Sequence, residues 1–245
     1  MRSWKSSLLL ALTTTVCLIG PPQILAGHAG QPNIRGRILG QEKLFPVVYL
    51  EAAKPDAHRW TWREPSSAVD AKFRGLTANA PRDVCIAATS SQGSGPQEPV
   101  LMKISGGRIV PTTIAVAPKT KLVFKNNDPF PHKAYLVGGK GFNPEVMAPS
   151  GQREWTAPDG SGRYEFRDEL FPSVRTFVVV DPQVVQVAYP GRDGVFVFAL
   201  PSGDYVLKAF FNGKRVGKTS SVVAKDRGVF ELKEPMNLGE GADGQ

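Results

Sequence analysis

Cysteine is almost absent from this chain: two occur in 245 residues, and one of them, Cys17, lies in the N-terminal apolar run. Once that run is removed only Cys85 remains, so no intrachain disulfide can form and the fold depends on its core. Cys85 belongs to Val84-Cys85-Ile86-Ala87-Ala88, which reads as a buried strand carrying a packed, inert thiol. Histidine is nearly as scarce, with three copies, and no paired-His zinc motif, Cys-x-x-Cys pair or Gly-x-Ser-x-Gly elbow occurs. The residue pattern therefore offers nothing for catalysis, and the chain reads as a non-enzyme. Long apolar runs are missing too. The stretch from Leu8 to Ile19 has twelve residues, where a bilayer span needs roughly twenty.

That stretch follows Arg2 and Lys5 and precedes Gly20-Pro21-Pro22, the layout of a secretory signal ending at Ala26 or Ala29. The expected mature chain is exported, periplasmic or extracellular, and carries no transmembrane helix. The formal charge is +8, and loss of Arg2 and Lys5 brings it to about +6. Basic residues are dispersed among strands and turns. After export they would meet envelope proteins or anionic surface components rather than nucleic acid.

What the sequence has in quantity is short β-rich runs between Gly, Pro, Asn and Asp clusters. Ile34–Leu39, Val47–Glu51, Val100–Ile104, Thr113–Ala117, Lys121–Lys125, Lys133–Val137, Arg175–Val180, Gly194–Ala199, Tyr205–Phe211 and Val216–Val223 are such runs. Several alternate apolar and polar residues, the period of a strand with one buried face. One short helix is expected around Ser67 to Arg74. Asn212-Gly213 reads as a type I′ hairpin turn, because both residues tolerate positive φ. The fold class is all-β, built from sandwiches. Five segments are expected: a signal peptide at 1–26, an N-terminal β segment with linker at 31–96, and a central domain at 97–181. A β-sandwich segment follows at 184–234, and then an acidic, Gly-rich, disordered tail at 235–245.

The central domain carries the most specific pattern. Phe124-Lys125-Asn126-Asn127-Asp128-Pro129-Phe130-Pro131-His132 ends a strand in an Asn-Asp-Pro turn followed by a histidine. The stretch Tyr164 to Arg175 then leads into the apolar strand Thr176 to Val180. Over about 85 residues this layout resembles the cupredoxin, or plastocyanin-like, family, whose exported members carry a ligand loop Cys-x-x-His-Pro-x-Met. The resemblance implies a Greek-key β-sandwich, with His132 at the first ligand position. Asp168 then stands at the Cys position, Phe171 at the second His and Val174 at the Met, while Pro172 keeps the frame. A blue copper site needs two imidazoles and a thiolate. His132 and Asp168 are the remaining candidate metal ligands, and they would form a residual copper or zinc site only if a partner chain or water completed it. No cofactor is expected. The resemblance also makes Phe130, Phe142 and Phe171 a candidate aromatic patch at the former metal end.

Ile34-Arg35-Gly36-Arg37-Ile38-Leu39 and Pro46 to Glu51 resemble the opening of carboxypeptidase regulatory-like, transthyretin-like sandwiches, and Asp193 to Leu207 resembles their closing half. These segments would form a second small β-sandwich, a discontinuous one with 31–55, into which the central domain is inserted. Trp60 and Trp62 could stack on sugars or peptides, or cap a β core. Three roles stay open: a binding or structural component of the cell envelope with its copper site largely lost, which leads; a copper-binding electron-transfer protein; and a carbohydrate- or peptide-binding module.

Overall fold

A computed structural model describes residues 31–46 and 78–239, together with the backbone of a two-residue strand, β1 (Ile24–Leu25). The expected strand Val47–Glu51, the expected helix Ser67–Arg74, and Trp60 and Trp62 lie outside the described residues. Among the described residues no helix is long and apolar enough to cross a membrane. The fold is all-β; among the described residues the strands form four sheets, and a single α-helical turn occurs at Ala80–Asp83.

The largest sheet runs in the order β1, β12 (Val184–Ala188), β3 (Val84–Thr89), β14 (Gly203–Phe211), β15 (Lys214–Ala224). A second sheet orders β6 (Thr113–Val116), β11 (Arg175–Val180), β10 (Gly162–Asp168) and β8 (Ala134–Leu136). A third orders β5 (Ile109–Val110), β4 (Val100–Ile104), β7 (Lys121–Asn126) and β9 (Gln152–Thr156). In the fourth, β2 (Ile34–Leu39) pairs with β13 (Val195–Phe198) on one edge and with β16 (Phe230–Glu231) and β17 (Met236–Asn237) on the other.

Alternation along these strands builds two cores. The first joins Met102, Ile104, Leu122, Phe124 and Trp155 of the third sheet to Ile114, Val116, Phe166, Val178 and Val180 of the second. The second joins Ile34, Ile38, Phe196 and Phe198 to Leu207, Val216 and Val222. Strand β3 serves both: Cys85 and Ala87 enter the first core, Val84, Ile86 and Ala88 the second. All six of its residues are buried because both of its faces are covered, which is why it reads as one continuous apolar run.

The hairpin turn at Asn212-Gly213 has positive φ at both residues, 49° and 71°. It docks on the second sheet: the Asn212 backbone N–H donates to Thr113 Oγ1 at 3.0 Å, and Arg163 Nη2 donates to the Asn212 carbonyl at 3.0 Å. The first residues of the expected tail take part in the fold, and 240–245 lie outside the described residues. Met236 and Leu238 are buried in the second core and β17 pairs with β2, because the apolar pair Met236 and Leu238 caps an otherwise open edge. Strands β9 and β12 carry neither the alternation of β4 and β7 nor the unbroken burial of β3. In β9 Trp155 is the only buried residue, and β12 carries a bulge between Val184 and Gln186.

Candidate functional site

Strand β7 ends in Asn126, whose fully buried amide ties three loop carbonyls together. Its Nδ2 donates to Phe130 O at 2.8 Å, Met147 O at 3.1 Å and Ala148 O at 3.1 Å. Its Oδ1 accepts from the Asp128 backbone N–H at 2.9 Å, the Asx geometry that starts the turn. His132 then pairs with Met147 through two backbone hydrogen bonds of 3.0 and 2.8 Å, which fixes where the imidazole enters the core.

Asp168 ends β10, opposite Ala134 of β8, and organises the loop that follows. Its Oδ1 accepts the backbone N–H groups of Leu170 and Phe171 at 2.8 and 2.9 Å. Its Oδ2 accepts the Lys133 backbone N–H at 2.9 Å. The loop closes with Val174 N–H on Phe171 O at 2.8 Å and Arg175 Nε on Pro172 O at 2.9 Å.

The structure brings His132 and Asp168 together and adds a residue the sequence reading did not nominate. His132 Nδ1 donates to Asp168 Oδ2 at 2.9 Å, and His132 Nε2 donates to Asp128 Oδ2 at 3.1 Å. Both neighbours are carboxylates, which only accept when ionised, so both ring nitrogens carry protons and the ring is an imidazolium. Burial works against that charge, but the hydrogen bonds and charges of Asp168 and Asp128 outweigh it, and His132 titrates above its ordinary value. Burial likewise opposes the Asp128 carboxylate. Backbone N–H groups of Gly106 and Gly107, at 2.6 and 3.2 Å, together with His132, still hold it below the ordinary carboxylate range.

Two rings roof this cluster. Phe130 and Phe171 stand 5.1 Å apart and each lies 5.2 Å from the imidazole, which is wholly buried. Phe130 is 36 % exposed and Leu170 39 %, so this end presents apolar side chains outward. Phe142 is not among them. It is 2 % exposed and packs 5.0 Å from Phe124 and 5.4 Å from Phe166, because residues 141–142 turn inward where Leu136 N–H bonds the Phe142 carbonyl. Its outer face is covered by the Arg153 guanidinium at 4.1 Å. The sequence patch of three aromatics is therefore a pair.

The cupredoxin layout implies copper, and the residues present do not fit it. A metal needs a free nitrogen lone pair on His132, and both nitrogens face carboxylates across hydrogen bonds. Asp128 and Asp168 lie against opposite edges of the ring, so the three side chains do not converge. Among the described residues no group of three or more His, Cys, Asp or Glu is placed to hold a metal. Val174 is buried in the first core, and Phe171 offers a ring without a donor.

No family model and no curated protein matches this chain. Solved structures do. A reduced variant of amicyanin is 18 % identical, with 39 % of this chain covering 99 % of that one at a TM-score of 0.31. A purple cupredoxin from Nitrosopumilus maritimus is 17 % identical, with 34 % of this chain covering 99 % of it, TM-score 0.31. A copper-containing nitrite reductase from Thermus scotoductus SA-01 is 18 % identical over 39 % of this chain and 25 % of its own, TM-score 0.30. At these scores the likeness carries no weight about chemistry.

Proposed function

We propose that this protein is an exported, non-enzymatic component of the cell envelope that works by binding or by its structure, and that its cupredoxin-like half has exchanged copper ligation for a buried Asp–His–Asp clamp. The observation that carries this reading is the double engagement of His132, with a carboxylate on each ring nitrogen. Copper would have to displace at least one of them and would find no thiolate in its place. The clamp instead joins three separate loops, at Gly106–Gly107, Asp128–His132 and Asp168–Arg175, and so stiffens the end of the sandwich that shows Phe130 and Leu170 outward. The leader-like segment with Arg2, Lys5 and the run Leu8 to Ile19 supports export.

The test is copper titration of the protein recovered from the envelope or medium fraction. The expected result is no intense visible absorption and no tight, stoichiometric uptake. A triple variant, Asp168→Cys with Phe171→His and Val174→Met, is the positive control, since it returns the thiolate, imidazole and thioether. Tight uptake by the unaltered protein that disappears in His132→Ala would overturn the reading.

A further inference from the structure

In the largest sheet β12 is bordered on its outer side by β1, and among the described residues by no other strand. The pairing is antiparallel, with Ile24 opposite Ala188 and Leu25 opposite Val187. Both residues of β1 fall within the segment that export would remove. Maturation would then strip the edge of its partner and leave unpaired the backbone N–H and C=O groups that the Val187–Ala188 stretch directs toward β1. Such an edge is a template for another strand unless it is blocked. One half of β12 is blocked: the bulge lies between Val184 and Gln186, and Gln97 Nε2 occupies the Val185 carbonyl at 3.2 Å. The other half, where β1 sits, carries no lysine and no bulge.

A second observation marks the same place. Gln186 is 2 % exposed, yet among the described residues neither its amide nitrogen nor its amide oxygen has a hydrogen-bond partner. Buried side-chain amides are satisfied in the large majority of cases, so an orphaned one at a sheet edge points to a missing group. Antiparallel register runs in opposite directions on the two strands. A strand continued one residue beyond Leu25 would set its next side chain opposite Gln186, on the same face.

We propose that the β12 edge of the exported protein is a strand-addition site for an extended segment of a partner protein. That segment would read, in N-to-C order, apolar at the position opposite Ala188, apolar opposite Val187, and then a Ser, Thr, Asn or Gln opposite Gln186. The leader segment occupies the site until it is removed. Backbone hydrogen bonds supply the attachment, and the polar third residue supplies the selectivity by answering the Gln186 amide. The proposal rests on the export reading for the opening of the site.

The experiment uses labelled synthetic peptides and the chain beginning at Gly27, read by fluorescence anisotropy. One peptide carries the sequence Gly20 to Ala26, a second is the same peptide N-methylated at Ile24 and Leu25, and a third carries Ala26→Thr. The first should bind the Gly27 chain and not the chain that retains its leader. The N-methylated peptide should bind at least about tenfold more weakly, and the Thr peptide about fivefold more tightly. In Gln186→Leu the first and third peptides should bind alike. Absence of binding, or equal binding of the N-methylated peptide, overturns the site, and both arms use unaltered protein. A Thr peptide no tighter than the Ala peptide overturns the role of Gln186. N-terminal sequencing of the exported protein judges the export reading separately. Retention of Ile24 and Leu25 refutes removal of the leader strand, while the peptide arms still decide the edge.

Discussion

Replacing His132 by alanine tests the clamp most directly. The substitution deletes two hydrogen bonds to charged acceptors, at 2.9 and 3.1 Å, and leaves Asp168 and Asp128 buried without their shared cation. Hydrogen bonds to charged groups contribute about 1.5–3 kcal/mol each, and removing one member of a buried ion pair costs about 3–5 kcal/mol. The imidazolium's own desolvation offsets part of the gain, so a loss of about 3–5 kcal/mol is expected. Its pH dependence follows from the direction of the shift. His132 titrates above its ordinary 6.5 in the folded protein, so its contribution is complete below about pH 6.5 and fades as pH rises through the folded value. Urea denaturation, followed by the fluorescence of buried Trp155, should show the full gap between the two proteins near pH 6 and a smaller one near pH 9. A cost below about 1 kcal/mol, or a gap that does not change with pH, would refute the ion-pair account.

Acid should act on the other side of the clamp. Asp128 is held below 3.8, so its contribution is present above that value and is lost as pH falls through the lower folded one; Asp128→Asn should flatten the acid limb of the unfolding profile. Cys85 should resist alkylation at pH 8 until the protein is unfolded, because burial pushes its thiol up to about 12 despite hydrogen bonds from Ala115 and Tyr189. Labelling of the native protein at the rate of a free thiol would contradict that. Gly36→Ala should cost about 1–3 kcal/mol in thermal unfolding, because its Cβ would meet the Phe196 ring, 2.9 Å from Cε2. An unchanged midpoint would mean that Phe196 can move aside.

Much of the architecture was legible because it repeats over short windows. The alternation in Lys121-Leu122-Val123-Phe124 and in Tyr205 to Phe210 exposes one face and buries the other, as β7 and β14 do. The unbroken apolar run around Cys85 marked a buried strand, and the two cores on its two faces explain the run. Strand β9 was hidden by its polar exposed residues, and β12 by a bulge that shifts the period midway. The site was legible in part. His132 and Asp168 could be paired by position in a recognisable loop, but Asp128 could not be assigned to the ring. Its carboxylate is aimed by N–H groups of Gly106 and Gly107, some twenty residues earlier, and no local pattern links that turn to His132. The Asn-Asn-Asp-Pro turn four residues before His132 was the available signal, and it read equally well as a turn alone.

The sequence by itself determined which donors exist. The only cysteines are Cys17 and Cys85, so no arrangement of the loop from Asp168 to Arg175 supplies a thiolate from within itself. It also determined the tight turns, since Asn212-Gly213 and the Asp168 loop are held by φ preferences and hydrogen bonds within a few residues. Only the tertiary structure decided what His132 does instead, that Phe142 belongs to the core while Phe130 roofs the imidazole, and that β3 divides two cores. Those outcomes depend on register and on contacts between loops distant in the chain, and a side chain's partner across such a gap is fixed by the closed sheets rather than by its neighbours in sequence.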